Sequence, residues 1–335
     1  MRPAAAAAAL ALLALAAGAL TGGAAAADGP PLVREAVIPL PHTGGRIDHM
    51  AVDLRRGRLF VAELGNGTVD VVDIAARRVA LRIKGLRDPQ GVGYSAGADV
   101  LAVASAGDGT VRFYRGEDMA PSGVLSLGDD ADNIRVDPQS GAVIVGYGSG
   151  GLAVIDPASR TKAADIRLPA HPEGFQLDGA GGRAFVNVPD ARQVAVVDMR
   201  TGETTAAWRP AGLRGNFPLA YSRDDGVVAA VFRSPARLVL LDARTGAVTA
   251  ALDACGDADD VFFDARRARI YVSCGSGTVD AWQREAGGYQ PLPRTETANG
   301  ARTSLFVPEL DRLFVAVRAG LLGADASILV FRPAP

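Results

Sequence analysis

The feature that most constrains this chain is a phrase of about forty-two residues that recurs seven times. In its first copy, His49–Asp53, Arg58–Ala62, Thr68–Asp73 and Val79–Ile83 are four short apolar or alternating stretches separated by turns. The position of Asp53 returns as Ser95, Asp137, Asp178, Ser222, Asp264 and Pro308, at spacings of 42, 42, 41, 44, 42 and 44. A second marker closes the third stretch in the same register: Asp73, Tyr114, Asp156, Asp198, Asp242, Trp282 and Phe331. Two markers that agree define a repeat architecture, in which each unit is one supersecondary element unable to bury its faces alone.

The units are sheets. Runs such as Ala142–Val145, Ala184–Val188, Val227–Val231 and Ile270–Ser273 are four or five residues long and rich in β-branched and aromatic residues. The stops between them are chemically specific. In Asp198-Met-Arg-Thr-Gly202 and Asp242-Ala-Arg-Thr-Gly246 the carboxylate can bond the backbone ahead, and glycine takes the positive φ. With 40 Gly and 20 Pro against 6% aromatics, the composition suits short strands and tight turns. Four antiparallel strands per unit, stacked radially, make a propeller blade. The expected fold is therefore all-β, a seven-bladed propeller with blades starting near residues 47, 89, 131, 172, 216, 258 and 302. The last unit offers three strands, Ser304–Val307, Leu313–Val317 and Ser327–Phe331, while Leu32–Leu40 precedes the first unit. This leftover strand is expected to complete blade seven and remove the free edge.

Ahead of the propeller, Met1-Arg2-Pro3 precedes an Ala/Leu run from Ala4 to Leu20 and a small-residue ending at Ala25-Ala26-Ala27. That order reads as a signal peptide over residues 1–27, leaving 28–335 as the mature domain; the rival is an uncleaved anchor. No later apolar run is long enough to span a bilayer, so the mature chain is expected in the periplasm or secreted, and as a monomer. Net charge is −2, with 35 basic residues scattered singly against 37 acidic ones, which argues against a nucleic-acid surface. Cys255 and Cys274, destined for an oxidising compartment, are expected to form a disulfide at one end of blade six. There is no C-x-x-C-H haem site and no C-x-x-C redox motif.

Phrases such as Arg58-Leu-Phe-Val-Ala62, Gly65-Asn-Gly-Thr-Val69 and Val71-Val-Asp-Ile74 resemble the YVTN-type repeat of the YncE-like β-propeller family. The resemblance runs over essentially the whole mature chain, and it implies the seven-bladed fold; it implies no shared catalytic motif.

Chemistry is expected where the first strands of the blades line the channel, at one mouth. Aligning the units places Asp48-His49, Gln90-Gly91, Asp132-Asn133, Glu173-Gly174, Phe217-Pro218, Asp259-Asp260 and Thr303-Ser304 around it. One reading is a divalent cation, calcium or magnesium, held by some of Asp48, His49, Asp132, Asn133, Glu173, Asp259 and Asp260, because carboxylates converging without Lys or Arg repel. The other is a wet funnel of solvated turn residues, since no H-E-x-x-H or EF-hand spacing is present. His49 and His171 could face one another across the channel, with His42 in the closure linker. The glycine pairs lead into strands rather than helices, which leaves no helix N-terminus for a phosphate. No G-x-S-x-G elbow occurs.

Two functions follow as expectations. The first is a periplasmic binding or interaction protein gripping a protein, peptide or small solute at the mouth. The second is a metal-dependent hydrolase: the gluconolactonase family is similar in holding a carboxylate- and Asn-bound cation in a propeller channel, and Glu173, Asn133 and Asp259 are the right residue types, although that family's motif does not match residue by residue. A quinone-cofactor or amine-dehydrogenase subunit rests on fold-level analogy alone.

Overall fold

A computed structural model describes residues 29–179, 182–320 and 325–335. The proposed signal segment, residues 1–27, lies outside the described residues. Seven antiparallel sheets follow one another in chain order. Their innermost strands are Met50–Asp53, Pro89–Ser95, Ala131–Val136, Phe175–Leu177, Arg214–Ser222, Ala258–Asp264 and Ser304–Val307. Each begins within a few residues of the point at which the repeat places its blade.

Leu32–Leu40 pairs antiparallel with Ala326–Pro333, from Leu32 opposite Pro333 to Leu40 opposite Ala326. The N-terminal strand is therefore the outer strand of blade seven, and first and last segments of the domain share one ladder. Blade six departs from the four-strand plan. Its outer edge is split into Gly288–Pro291 and Thr295–Glu296, both paired to Thr278–Glu285. Leu292 still donates to the Ala281 carbonyl at 2.8 Å, but Pro293 has no N–H to continue the ladder, so regular pairing lapses before Thr295.

Packing explains why the units are obligate neighbours. The apolar core consists of seven clusters, each built from two adjacent blades: Phe60, Ala62 and Val69 of blade one, for instance, pack with Val92 and Leu101 of blade two. Ile38 and Leu40 of the closing strand pack with Leu59 and Val61 of blade one, so the same contact that joins other neighbours also joins the chain ends. At the expected site of the disulfide, Cys255 and Cys274 are bonded, with Cα atoms 5.9 Å apart and both residues buried.

The recurrent Asp53 position has a physical role. Arg56, in the turn after Asp53, donates to Asp53 at 2.9 Å and to Asp99 of blade two at 2.7 and 2.8 Å. Arg267 does the same for Asp264 and for Asp311 of blade seven, at 3.1, 2.7 and 2.9 Å. An Asp at the end of the inner strand thus orients an arginine whose planar fork grips the next blade. Among the described residues no helix is long and apolar enough to cross a membrane.

Candidate functional site

The inner strands deliver their first residues to one mouth of the channel, and local irregularities decide how many side chains point inward. Pairing register shifts between Pro89 and Val92, Ala131 and Ile134, Asn216 and Leu219, and Ala258 and Asp260. A bulge of this kind re-aims side chains that strict alternation would send to opposite faces. Asp132 and Asn133 consequently both line the mouth, as do Asp259 and Asp260. Glycine at neighbouring positions lets the inner strands crowd together. A Cβ on Gly91 would collide with the Asp132 carbonyl, and Gly174 donates its N–H to the Phe217 carbonyl across the blade boundary at 2.9 Å.

The result is a cavity of about 280 Å³. All seven residues expected in the ring, Asp48, His49, Asp132, Asn133, Glu173, Asp259 and Asp260, line it, and so does His171. His42 and Thr303 are not part of this wall. The two histidines flank one carboxylate: His49 Nδ1 lies 3.9 Å from Asp132 Oδ1, and His171 Nε2 lies 3.8 Å from Asp132 Oδ2. His49 is also paired with Asp48 at 2.9 Å, while His171 Nδ1 contacts the Gly148 carbonyl at 2.6 Å.

The expectation of carboxylates without arginine is overturned. Arg46, Arg135, Arg233 and Arg302 line the same cavity. Arg46 pairs with Asp48 at 2.6 Å. Arg233 Nη2 donates to Asp259 Oδ1 at 2.6 Å, and Arg302 Nε lies 3.1 Å from Asp259 Oδ2. Three of the missed arginines come from outside the inner strands: Arg46 from the closure linker, Arg233 from the second strand of blade five, Val227–Ser234, and Arg302 from just ahead of the inner strand of blade seven. Arg135 was within reach of sequence reasoning. Three residues beyond Asp132, Glu173 and Asp259 the aligned units carry Arg135, Gln176 and Phe262, and all three form the next row of the wall.

Charge in this enclosure is redistributed. Burial opposes protonation of His49, but its bond to Asp48 and the fields of Asp48, Asp132 and Asp260 outweigh it and push it up to about 10. His171 likewise gains more from Asp132, the Gly148 carbonyl, Asp130 and Glu173 than burial takes away, and is pushed up to about 9. Burial, reinforced by Asp132 and Asp259, raises Glu173 to about 7. Burial with Asp259 raises Asp260 to about 7. Asp48 is held below the usual carboxylate range: burial works against its charge, but His49, Arg46 and Arg302 prevail. Near neutral pH the imidazoles are held as cations and Glu173 and Asp260 are close to half-protonated, so with four arginines in the wall the carboxylates are balanced by cations.

That balance bears on the two readings of the ring. His49 is paired with Asp48, and Asp48 and Asp259 are already engaged by arginines. Among the described residues no three His, Cys, Asp or Glu side chains form a cluster suited to a metal ion. The residues as arranged do not fit a tight divalent-cation site. Among the described residues no Ser, Thr, Cys, Lys or Tyr lines the cavity to offer a side-chain hydroxyl, thiol or amine nucleophile. What the wall does offer is unfilled hydrogen-bonding capacity: Asn133 Oδ1 is buried without a hydrogen-bond partner.

No family model and no curated protein sequence matches this chain. Its structure is similar to solved ones at low identity. A chain of Kuenenia stuttgartiensis hydrazine synthase superposes with a TM-score of 0.74 at 14% identity, covering 93% of this chain and 98% of that one. A chain of the mitotic checkpoint complex superposes with a TM-score of 0.78 at 14% identity, covering 96% and 98%. At such identity the likeness speaks for the fold alone: this chain is a seven-bladed β-propeller.

Proposed function

We propose that this protein is an exported, YncE-like propeller that binds a small polar solute in the mouth of its channel, in the periplasm or outside the cell. The observation that carries the reading is a partnerless buried oxygen, Asn133 Oδ1, in the wall of a charged cavity. A buried polar atom without a partner costs about 1–3 kcal/mol, and such atoms persist in native proteins where a ligand or ordered water completes them. The export half of the reading rests on the leader-like residues 1–27 and on the Cys255–Cys274 disulfide, which suits an oxidising compartment. The YVTN-type phrases support the YncE-like half.

The test is elemental analysis of the protein purified from the periplasm, with thermal melts in the presence of chelator and of a panel of small solutes. A saturable rise in melting temperature with one solute class, unaffected by chelator, supports solute binding. Stoichiometric calcium and a melt lowered by chelator would replace this reading with the lactonase-type hydrolase, and lactone turnover would then be assayed.

A further inference from the structure

We propose that the solute is a small organic carboxylate, its anionic group seated on the guanidinium of Arg135. This deepens the solute-binding reading and rests on it.

Arg135 differs from the other arginines of the cavity. Arg46, Arg233 and Arg302 each have a carboxylate oxygen within 3.1 Å, but among the described residues no carboxylate lies within salt-bridge distance of Arg135. Its one intramolecular hydrogen bond is from Nη1 to the Ile134 carbonyl, at 2.7 Å. The guanidinium carries five N–H donors in a rigid fork, so among the described residues most of its donors have no protein partner. The carboxylates nearest to it are engaged elsewhere: Asp132 sits between His49 and His171, and Asp260 Oδ2 accepts the Ser304 N–H at 2.7 Å.

The position of Arg135 is held from below. It projects from inner strand Ala131–Val136 and packs over the Phe175 ring of blade four, 5.4 Å from the ring centroid. A partly buried cation in this setting is strongly disposed to a desolvated counter-ion, and the planar fork matches a carboxylate bidentately. The rest of the wall is mostly polar, with Phe217, Pro218 and Leu219 of blade five and Val261 and Phe262 of blade six as its apolar members. At about 280 Å³ the cavity lies at the lower end of the roughly 300–1,000 Å³ typical of ligand pockets. It is therefore matched to a body of a few carbons or a single ring, with Asn133 Oδ1 free to take a hydrogen bond from a donor on the ligand.

The experiment is isothermal titration of the disulfide-intact mature protein with sodium propionate and sodium benzoate. Propylammonium chloride, glycerol and sodium chloride serve as controls at matched ionic strength. Propionate and propylammonium share a body and differ in the sign of the head group. Saturable binding of propionate or benzoate, absent with propylammonium and chloride, is expected. Arg135→Gln should weaken it about tenfold or more, the size of a lost charge-assisted pair. Arg135→Lys, which keeps the charge and loses the fork, should recover part of that loss. If Arg135→Gln melts below the assay temperature, Arg135→Lys decides: unchanged affinity overturns the assignment. Binding of glycerol or propylammonium in place of the carboxylates also overturns it while leaving the solute-binding reading intact. Failure of every solute overturns both.

Discussion

The closing strand offers the sharpest test of how this domain holds together, because adjacent residues in it have opposite environments. Ile38 is fully buried between blades seven and one, while Val37 beside it is 50% exposed. Truncating a fully buried Ile to Ala costs roughly 2–5 kcal/mol, from lost transfer free energy and the cavity left behind. A half-exposed surface truncation is worth about 0.5 kcal/mol or less. Ile38→Ala is therefore expected to destabilise by about 3.5 kcal/mol. Taking an unfolding entropy of about 2.1 cal/mol/K per residue over a domain of this length, that corresponds to a fall in Tm of about 5 °C, against about 1 °C or less for Val37→Ala. Urea unfolding followed by fluorescence of Trp208 and Trp282, both buried, reads the difference directly. Equal costs for the two substitutions would refute the closure in this register. A register slipped by one residue would reverse their order.

Two further outcomes concern the disulfide and pH. Replacing Cys255 and Cys274 by Ser opens a loop of 19 residues' separation, for which the loop-entropy argument gives about 3 kcal/mol, measurable as a lower urea midpoint for the double variant than for the oxidised protein. His49 and His171 have folded pKa values raised to about 10 and about 9. Their contribution to stability is complete below the unfolded value of about 6.5 and is lost as pH rises through the folded values. Glu173 and Asp260, raised to about 7, add a fall that begins from about pH 4. Tm should decline from pH 5 to pH 10, and a His49→Gln, His171→Gln double variant should flatten the arm above pH 7. A Tm that rises over that arm in the unsubstituted protein would contradict the two raised values.

Much of the architecture is written locally along the chain. The seven-fold phrase, Asp-led turns, the spare strand Leu32–Leu40 and the two cysteines each follow from spacing and from the residue types that strands and turns require, and the structure contains all of them. The positions that meet at the mouth follow as well, because a repeat in register brings equivalent residues to equivalent places. Other features were set only when blades packed against each other. Bulges at the inner strands, which let Asp132 with Asn133 and Asp259 with Asp260 share a wall, depend on pairing between strands and leave no mark in hydrophobic alternation. The electrostatic character of the mouth depends on arginines from the closure linker, a second strand and two further blades, and, Arg135 apart, no period announces their convergence. An acidic row in the sequence thus became, in three dimensions, a cavity of paired charges with one uncommitted guanidinium. Charge at a site is summed over neighbours in space, and those neighbours come from segments as far apart as Arg46 and Arg302.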